Sequence, residues 1–162
     1  MKKLVFIRHA KSSWEDTTMN DHDRPLNKKG KEAAITMSKA IIRHVNESDA
    51  VFSSTAKRAK QTIEIITQGD AKIEYKPALY TFDYKELLAF VKKMDDSLER
   101  VIIVGHNAAF TDAINDLSSS KIFNLPTCGI AVLLWDEVIN WQKIESESAR
   151  IIYFDTPKNY RK

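Results

Sequence analysis

The chain has 162 residues, 43% of them apolar and 29% charged, which bounds it to one globular domain able to bury roughly two-thirds of its unfolded surface. The formal net charge of +3 comes from Lys158, Arg161 and Lys162; the remainder carries 22 charges of each sign, so the basic balance is no nucleic-acid footprint. One cysteine, Cys128, excludes an internal disulfide framework, and no apolar run is long enough for a signal peptide or a membrane helix; no membrane association and a cytoplasmic location are expected.

Leu4 to Ile7 is a short apolar run that suits a fully buried strand, with Arg8 and His9 where it leaves the core. The polar stretch Ala10 to Asn27 is long for a loop in a compact domain, and such loops are usually functional or disordered; Trp14 and Pro25 argue for order. Asn27 is placed to cap a helix from Lys28 to about Val45 with Ala34, Met37 and Ile41 inward, and Gly30 in its first turn implies close backbone packing. Asp49 to Ser53 reads as a second strand. Ser53, Ser54 and Thr55 read as caps of a helix from about Ala56 to Thr67, which Gly69 closes. Residues 72–75 form a short strand before the Pro77 turn, and Asp83 with Glu86 makes a capping-box-like start for the next helix. Arg100 to Val104 is the clearest buried strand, ended by Gly105, His106 and Asn107; a helix through Phe110, Ile114 and Leu117 follows. Gly129 to Trp135 and Ile151 to Phe154 complete the strands, and the lysine-rich tail reads as solvated and mobile. Alternating strands and helices predict an α/β fold, a three-layer α/β/α sandwich with a mostly parallel central sheet and an antiparallel part near its end.

Three strand ends carry groups suited to phosphate: Arg8 and His9; Ser53, Ser54 and Thr55 with Arg58 one turn on; and Gly105, His106 and Asn107. In a parallel sheet these ends share one edge, where helix N-termini also point backbone N–H groups. Two imidazoles with two or three guanidiniums, and no obvious carboxylate cluster, describe a site for a dianionic phosphoryl group. There is no G-x-x-x-x-G-K-[ST] loop, no arginine six residues after Cys128, and no close-spaced metal-ligand pattern among the histidines at 9, 22, 44 and 106. His22 and His44 read as surface residues, Cys128 as an inert residue entering a strand, and Trp14 as a wall of the pocket mouth.

The blocks R-H-A-K-S-S-W, D-H-D-R-P-L-N-K-K-G, S-S-T-A-K-R-A-K-Q-T and V-G-H-N, in that order from residue 8 to residue 107, resemble the histidine phosphatase superfamily, and within it the small SixA-type phosphohistidine phosphatases. The resemblance implies a phosphoglycerate mutase-like fold and no metal or other cofactor. It implies that His9 is the nucleophile and that Arg8, Arg58, His106 and Arg24 bind the phosphoryl group. For Arg24 a salt bridge to Asp21 or Asp23 is the equal alternative. The chain departs from the family in having Ala108-Ala109 after His106-Asn107, where many members have Pro-Gly. It also lacks a clear counterpart of the glutamate that larger members use as general acid; Tyr80, Asp83 and Glu86 lie in the region where one belongs.

The expected substrate class is protein phosphohistidine, whose P–N bond needs little help to leave. The alternatives are a phosphatase or mutase acting on a small phosphate ester, which would need a placed acid, and a phosphate-binding module without turnover. Short connections predict an open, shallow site.

Overall fold

In the computed structural model, which describes residues 1–137 and 140–161, six strands form one sheet: β1 (Lys2–Arg8), β2 (Ala50–Ser54), β3 (Glu74–Lys76), β4 (Arg100–Gly105), β5 (Ile130–Trp135) and β6 (Arg150–Asp155). Their order across the sheet is β3-β2-β4-β1-β5-β6. The strands from β3 to β1 run parallel, and β5 runs antiparallel to both of its neighbours. Four helices cover the two faces: α1 (Lys28–Glu47), α2 (Lys57–Thr67), α3 (Tyr84–Lys92) and α4 (Ala109–Leu117).

The central strands are apolar at nearly every position because both of their faces are covered. Val5, Ile7, Ile102, Val104, Ile130 and Val132 pack with α1 and α2. The alternate residues Leu4, Phe6, Val101, Ile103, Ala131 and Leu133 pack with α3 and α4. This is the expected three-layer α/β/α sandwich with a phosphoglycerate mutase-like topology, and the antiparallel part lies where the last two strands predict it. The register Phe6↔Ile103 and Arg8↔Gly105 brings the carboxyl ends of β1 and β4 level. That register sets His9 beside His106.

Local signals explain most element ends. The Asn27 side chain accepts a hydrogen bond from the Gly30 N–H at 2.7 Å and starts α1. Gln68 and Gly69 take positive φ and close α2. Asp83 accepts from the Lys85 N–H at 2.8 Å, whereas Glu86 accepts from the Thr81 hydroxyl at 2.7 Å, so the capping box does not close on itself. The expected caps of α2 are not formed. The position before its first residue is Ala56, whose side chain offers no acceptor. Ser54 Oγ serves the Ala56 N–H and His106, Thr55 Oγ1 pairs with His22, and the Ser53 hydroxyl donates to the Ser54 carbonyl. These hydroxyls are drawn into the edge of the sheet instead.

One further expectation is overturned. His44 is buried, because the carboxyl half of α1 packs over β6 and sets its ring 5.5 Å from that of Tyr153. Neither of its nitrogens finds a partner, and burial with the nearby Lys3 and Arg43 charges lowers its pKa. The tail is solvated as expected, residues 158–161 being exposed; Pro157–Tyr160 make a turn of 3-10 helix against α1, and the Asn159 amide and Tyr160 hydroxyl donate to the Asp155 carboxylate. Lys162 lies outside the described residues.

Gly30 is required by close approach. A Cβ there would run into the carbonyl oxygen of Lys11, in the segment just past His9. Gly→Ala inside a helix ordinarily stabilises by about 1 kcal/mol. Here Gly30→Ala is expected to destabilise by about 1–3 kcal/mol, because backbone must move to admit the methyl group, and urea denaturation reads the sign directly.

Candidate active site

His9 leaves the end of β1, His106 the end of β4, and Arg58 the first turn of α2 after β2. These are three adjacent parallel strands, and their carboxyl edge collects the three side chains. The imidazole centroids are 5.1 Å apart, and Arg58 lies between the rings. All three are nearly covered, with 8% of His9, 2% of Arg58 and 1% of His106 exposed. Residues 10–27 run along this side of the sheet edge, where Asp21 reaches Arg58. They are held there by a bridge between Ser12 and Leu26 and by the Asn27 N–H donating to the Lys11 carbonyl at 3.0 Å.

Hydrogen bonding sets both tautomers. His9 Nδ1 is 2.7 Å from the Ala10 carbonyl, which can only accept, so Nδ1 carries the proton. Arg58 Nε–H points at His9 Nε2 from 3.4 Å, the direction of a lone pair. His106 Nε2 is 2.7 Å from Ser54 Oγ, and Arg58 Nη2 approaches His106 Nδ1 at 3.5 Å. A guanidinium has no acceptor, so His106 also turns a lone pair toward Arg58. Burial, reinforced by the cations Arg58, Arg8 and Arg24, pushes His9 down to about 3. Burial, with His9 and Arg58 close by, pushes His106 down to about 2. Both rings are neutral at pH 7.

The residue missed by sequence reasoning is Asp21. It was visible only as one possible partner of Arg24, three positions on. In the folded chain its carboxylate accepts from Arg24 Nη1 and Arg58 Nη2, each at 2.9 Å, and from the Tyr80 hydroxyl at 2.6 Å. Its carbonyl accepts from Arg58 Nη1 at 2.7 Å. Burial works against its charge, but the hydrogen bonds from Tyr80 and Arg58 outweigh that and hold its carboxyl at about 2. Asp21 therefore grips the outer end of the Arg58 fork. The inner edge, Nε and Nη2, faces the two imidazoles.

The remaining predicted residues divide. Arg8 donates through Nη1 to the Leu125 carbonyl at 2.9 Å, while its buried Nε has no partner. An unpartnered buried donor beside His9 suits an anionic ligand. Of the two roles weighed for Arg24, the structure shows the ion pair with Asp21. Its Nε and Nη2 go to Ser13 and Ser12, and its guanidinium lies 3.1 Å from the Trp14 ring centroid. His22, expected on the surface, stands at the site rim, edge-on to Tyr80 at 4.8 Å and 2.8 Å from Thr55 Oγ1. Tyr80 and Phe82 meet the His106 ring edge-on at 5.5 and 5.3 Å. Cys128 is inert as a thiol, pushed up to about 12 by burial, but its backbone N–H lies 3.0 Å from the carbonyls of both Arg8 and His9. Among the described residues no group of three His, Cys, Asp or Glu side chains is placed to hold a metal ion.

A family model for the histidine phosphatase superfamily (branch 1) matches residues 4–89, and the chain belongs to that family. An uncharacterized protein of Mycobacterium leprae is 30% identical over 94% of this chain and the whole of its own length. An uncharacterized chloroplastic protein of Arabidopsis thaliana is 27% identical over 82% of this chain, which spans 66% of that protein. Among solved structures, a candidate SixA phosphohistidine phosphatase from Nakamurella multipartitia superposes with a TM-score of 0.81, 26% identity and 96% coverage of both chains.

Two measurements check this electrostatic picture. Because the folded-state values of His9 and His106 lie below the ordinary 6.5, both rings are expected to remain neutral between about pH 8 and pH 5, with ring NMR resonances that do not titrate there. The Asp21 carboxyl is lowered from 3.8 to about 2, so its contribution to stability is present above about pH 4 and lost as pH falls toward 2. Asp21→Asn is expected to cost about 1 kcal/mol at neutral pH, a value reduced for solvent screening of a partly exposed carboxylate. The substitution should also flatten the acid limb of a stability profile followed by denaturant titration.

Proposed function

We propose that the protein is a phosphatase that works through a phosphohistidine intermediate on His9, needs no metal ion, and acts on phosphohistidine carried by other proteins. The observation that carries this reading is the His9 ring. Its Nδ1 is held by the Ala10 carbonyl, and its unprotonated Nε2 faces the inner edge of a buried guanidinium. An imidazole fixed in this tautomer is a nucleophile at neutral pH without an adjacent base. The similarity to a candidate SixA phosphohistidine phosphatase supports the substrate class.

The substrate's phosphoryl oxygens meet Arg58 Nε and Nη2, the unpartnered Arg8 Nε and the His106 ring. These groups spread the charge of a loose transition state that has little covalent demand of its own. The lone pair on His9 Nε2 forms the new P–N bond. The substrate ring, protonated from solvent at its free nitrogen, leaves as neutral imidazole with the electron pair of the broken P–N bond. Water then attacks phosphorus, the bonding pair returns to His9 Nε2, and a proton of the water goes to solvent. The bond broken and the bond formed in the first step are of one kind, so no strong general acid is needed. That agrees with the surroundings of the three residues considered for the acid. Tyr80 donates to Asp21, Asp83 caps α3 and Glu86 accepts from Thr81. A dianion bound against His106 favours its imidazolium, so the ring becomes a donor once substrate arrives. Arg24 acts at one remove, holding Asp21 and the loop rather than phosphate.

Turnover measured with chelator present, on a phosphohistidine protein and on an aryl phosphate, tests the proposal. The wild type is expected to dephosphorylate the protein efficiently, and His9→Ala to lower kcat by about 10³-fold or more. Turnover of the aryl ester alone would move the substrate to small phosphate esters, and turnover of neither would leave a binding module. Arg58→Lys, which keeps the charge but loses the fork, is expected to lower kcat by about 10²-fold.

A further inference from the structure

The net charge of the chain resides in its last five residues, and of these the fold gives Lys158 and Arg161 a definite place. The 3-10 turn Pro157–Tyr160 is tied to Asp155 and packs on α1. Lys158 and Arg161 thereby line, with Lys11 and Lys29, a cleft of about 620 Å³. Four cations and one carboxylate, Glu32, line it. All four cations are exposed, and among the described residues none takes part in an ion pair. The cleft beside β3 lacks this imbalance, setting Lys76 and Lys93 against Glu74, Glu86 and Asp95, whereas the neighbouring cleft that shares Thr36 and Tyr160 extends it with Lys39 and Arg43 and no carboxylate.

The cleft and the candidate active site share the segments just past β1 and just before β5. Lys11 directly follows Ala10, whose carbonyl holds His9 Nδ1. Thr127, also in its wall, directly precedes Cys128, whose N–H points at the Arg8 and His9 carbonyls. An extended polypeptide with its phosphorylated side chain at His9 has this cleft within a few residues' reach. We infer that the cleft is a docking site for an acidic segment of the phosphorylated protein substrate, adjacent in that protein to its phosphohistidine. The inference rests on the protein-substrate reading above. Like-signed, unneutralised side chains along a cleft raise the local concentration of an oppositely charged partner and speed its encounter, an effect that salt screens.

The experiment compares wild type with the double reversal Lys158→Glu/Arg161→Glu, both positions being exposed and outside the reaction chemistry. The substrates are a phosphohistidine protein with an acidic flank and an aryl phosphate, over a range of KCl. The expected result is a loss of about tenfold or more in kcat/KM on the protein at low salt, carried by KM, with a weaker salt dependence. The aryl phosphate should be turned over as by wild type, showing that the variant is folded. An unchanged kcat/KM and salt slope on the protein would overturn the inference. If wild type hydrolyses the aryl ester and no phosphoprotein, the substrate reading has failed. The cleft is then judged by fluorescence anisotropy of a labelled Asp/Glu-rich peptide. Binding that the reversal abolishes supports an acidic-segment site; no binding, or tighter binding of an oligothymidylate, overturns it.

Discussion

A guanidinium that is 2% exposed and contacts two neutral imidazoles is favoured by a nearby counter-charge, and Asp21 supplies it. Removing an ion from water costs several kcal/mol unless its hydrogen-bonding capacity is met by well-placed partners. Arg58 meets that condition through a carboxylate oxygen and a backbone carbonyl of one residue. The same carboxylate reaches Arg24 and Tyr80, so one anion ties the loop over residues 10–27 to α2 and to the segment before α3. The loop, the guanidinium and the placing of the two rings are one electrostatic unit.

That unit also sets protonation. Burial, reinforced by the cations packed nearby, disfavours a positive charge on the two rings and keeps His9 and His106 neutral. The arrangement that would neutralise a bound dianion is thus the one that leaves a lone pair on His9 Nε2. Asp21 confines the Arg58 charge to one orientation without cancelling it on the inner edge, because its contacts lie at the far end of the fork. The backbone adds rigidity: the Ala10 carbonyl fixes one side of the His9 ring, and the Cys128 N–H anchors the strand end beneath it.

Much of this was legible in the sequence. Apolar runs at 4–7, 100–104 and 129–135 mark strands covered on both faces, and the Asn27 and Asp83 caps mark helix starts, since these depend on neighbours in the chain. The Ser-Ser-Thr run at the end of β2 misled because hydroxyls serve a helix N-terminus or a neighbouring side chain equally well, and only the packed edge shows that His106 and His22 claim two of them. His44 stands three positions after Ile41 and seven after Met37, on the buried stripe of α1, so helical spacing puts it inward although its polar ring reads as a surface group.

By itself the sequence determined the layer architecture, the family, and the set of strand-end residues facing one edge, because hydrophobic periodicity and short motifs are local properties of the chain. Tertiary structure alone decided what those residues do to one another. The parallel register put His9 within 5.1 Å of His106. The fold of the loop spent Arg24 on Asp21 and turned Asp21 onto Arg58, and the docking of the tail carried Lys158 and Arg161 to Lys11 and Lys29. Except for the Arg24–Asp21 pair, three residues apart and already a candidate in the sequence, each brings together segments far apart in the chain, fixed by packing and charge compensation across the fold, and no local pattern encodes it.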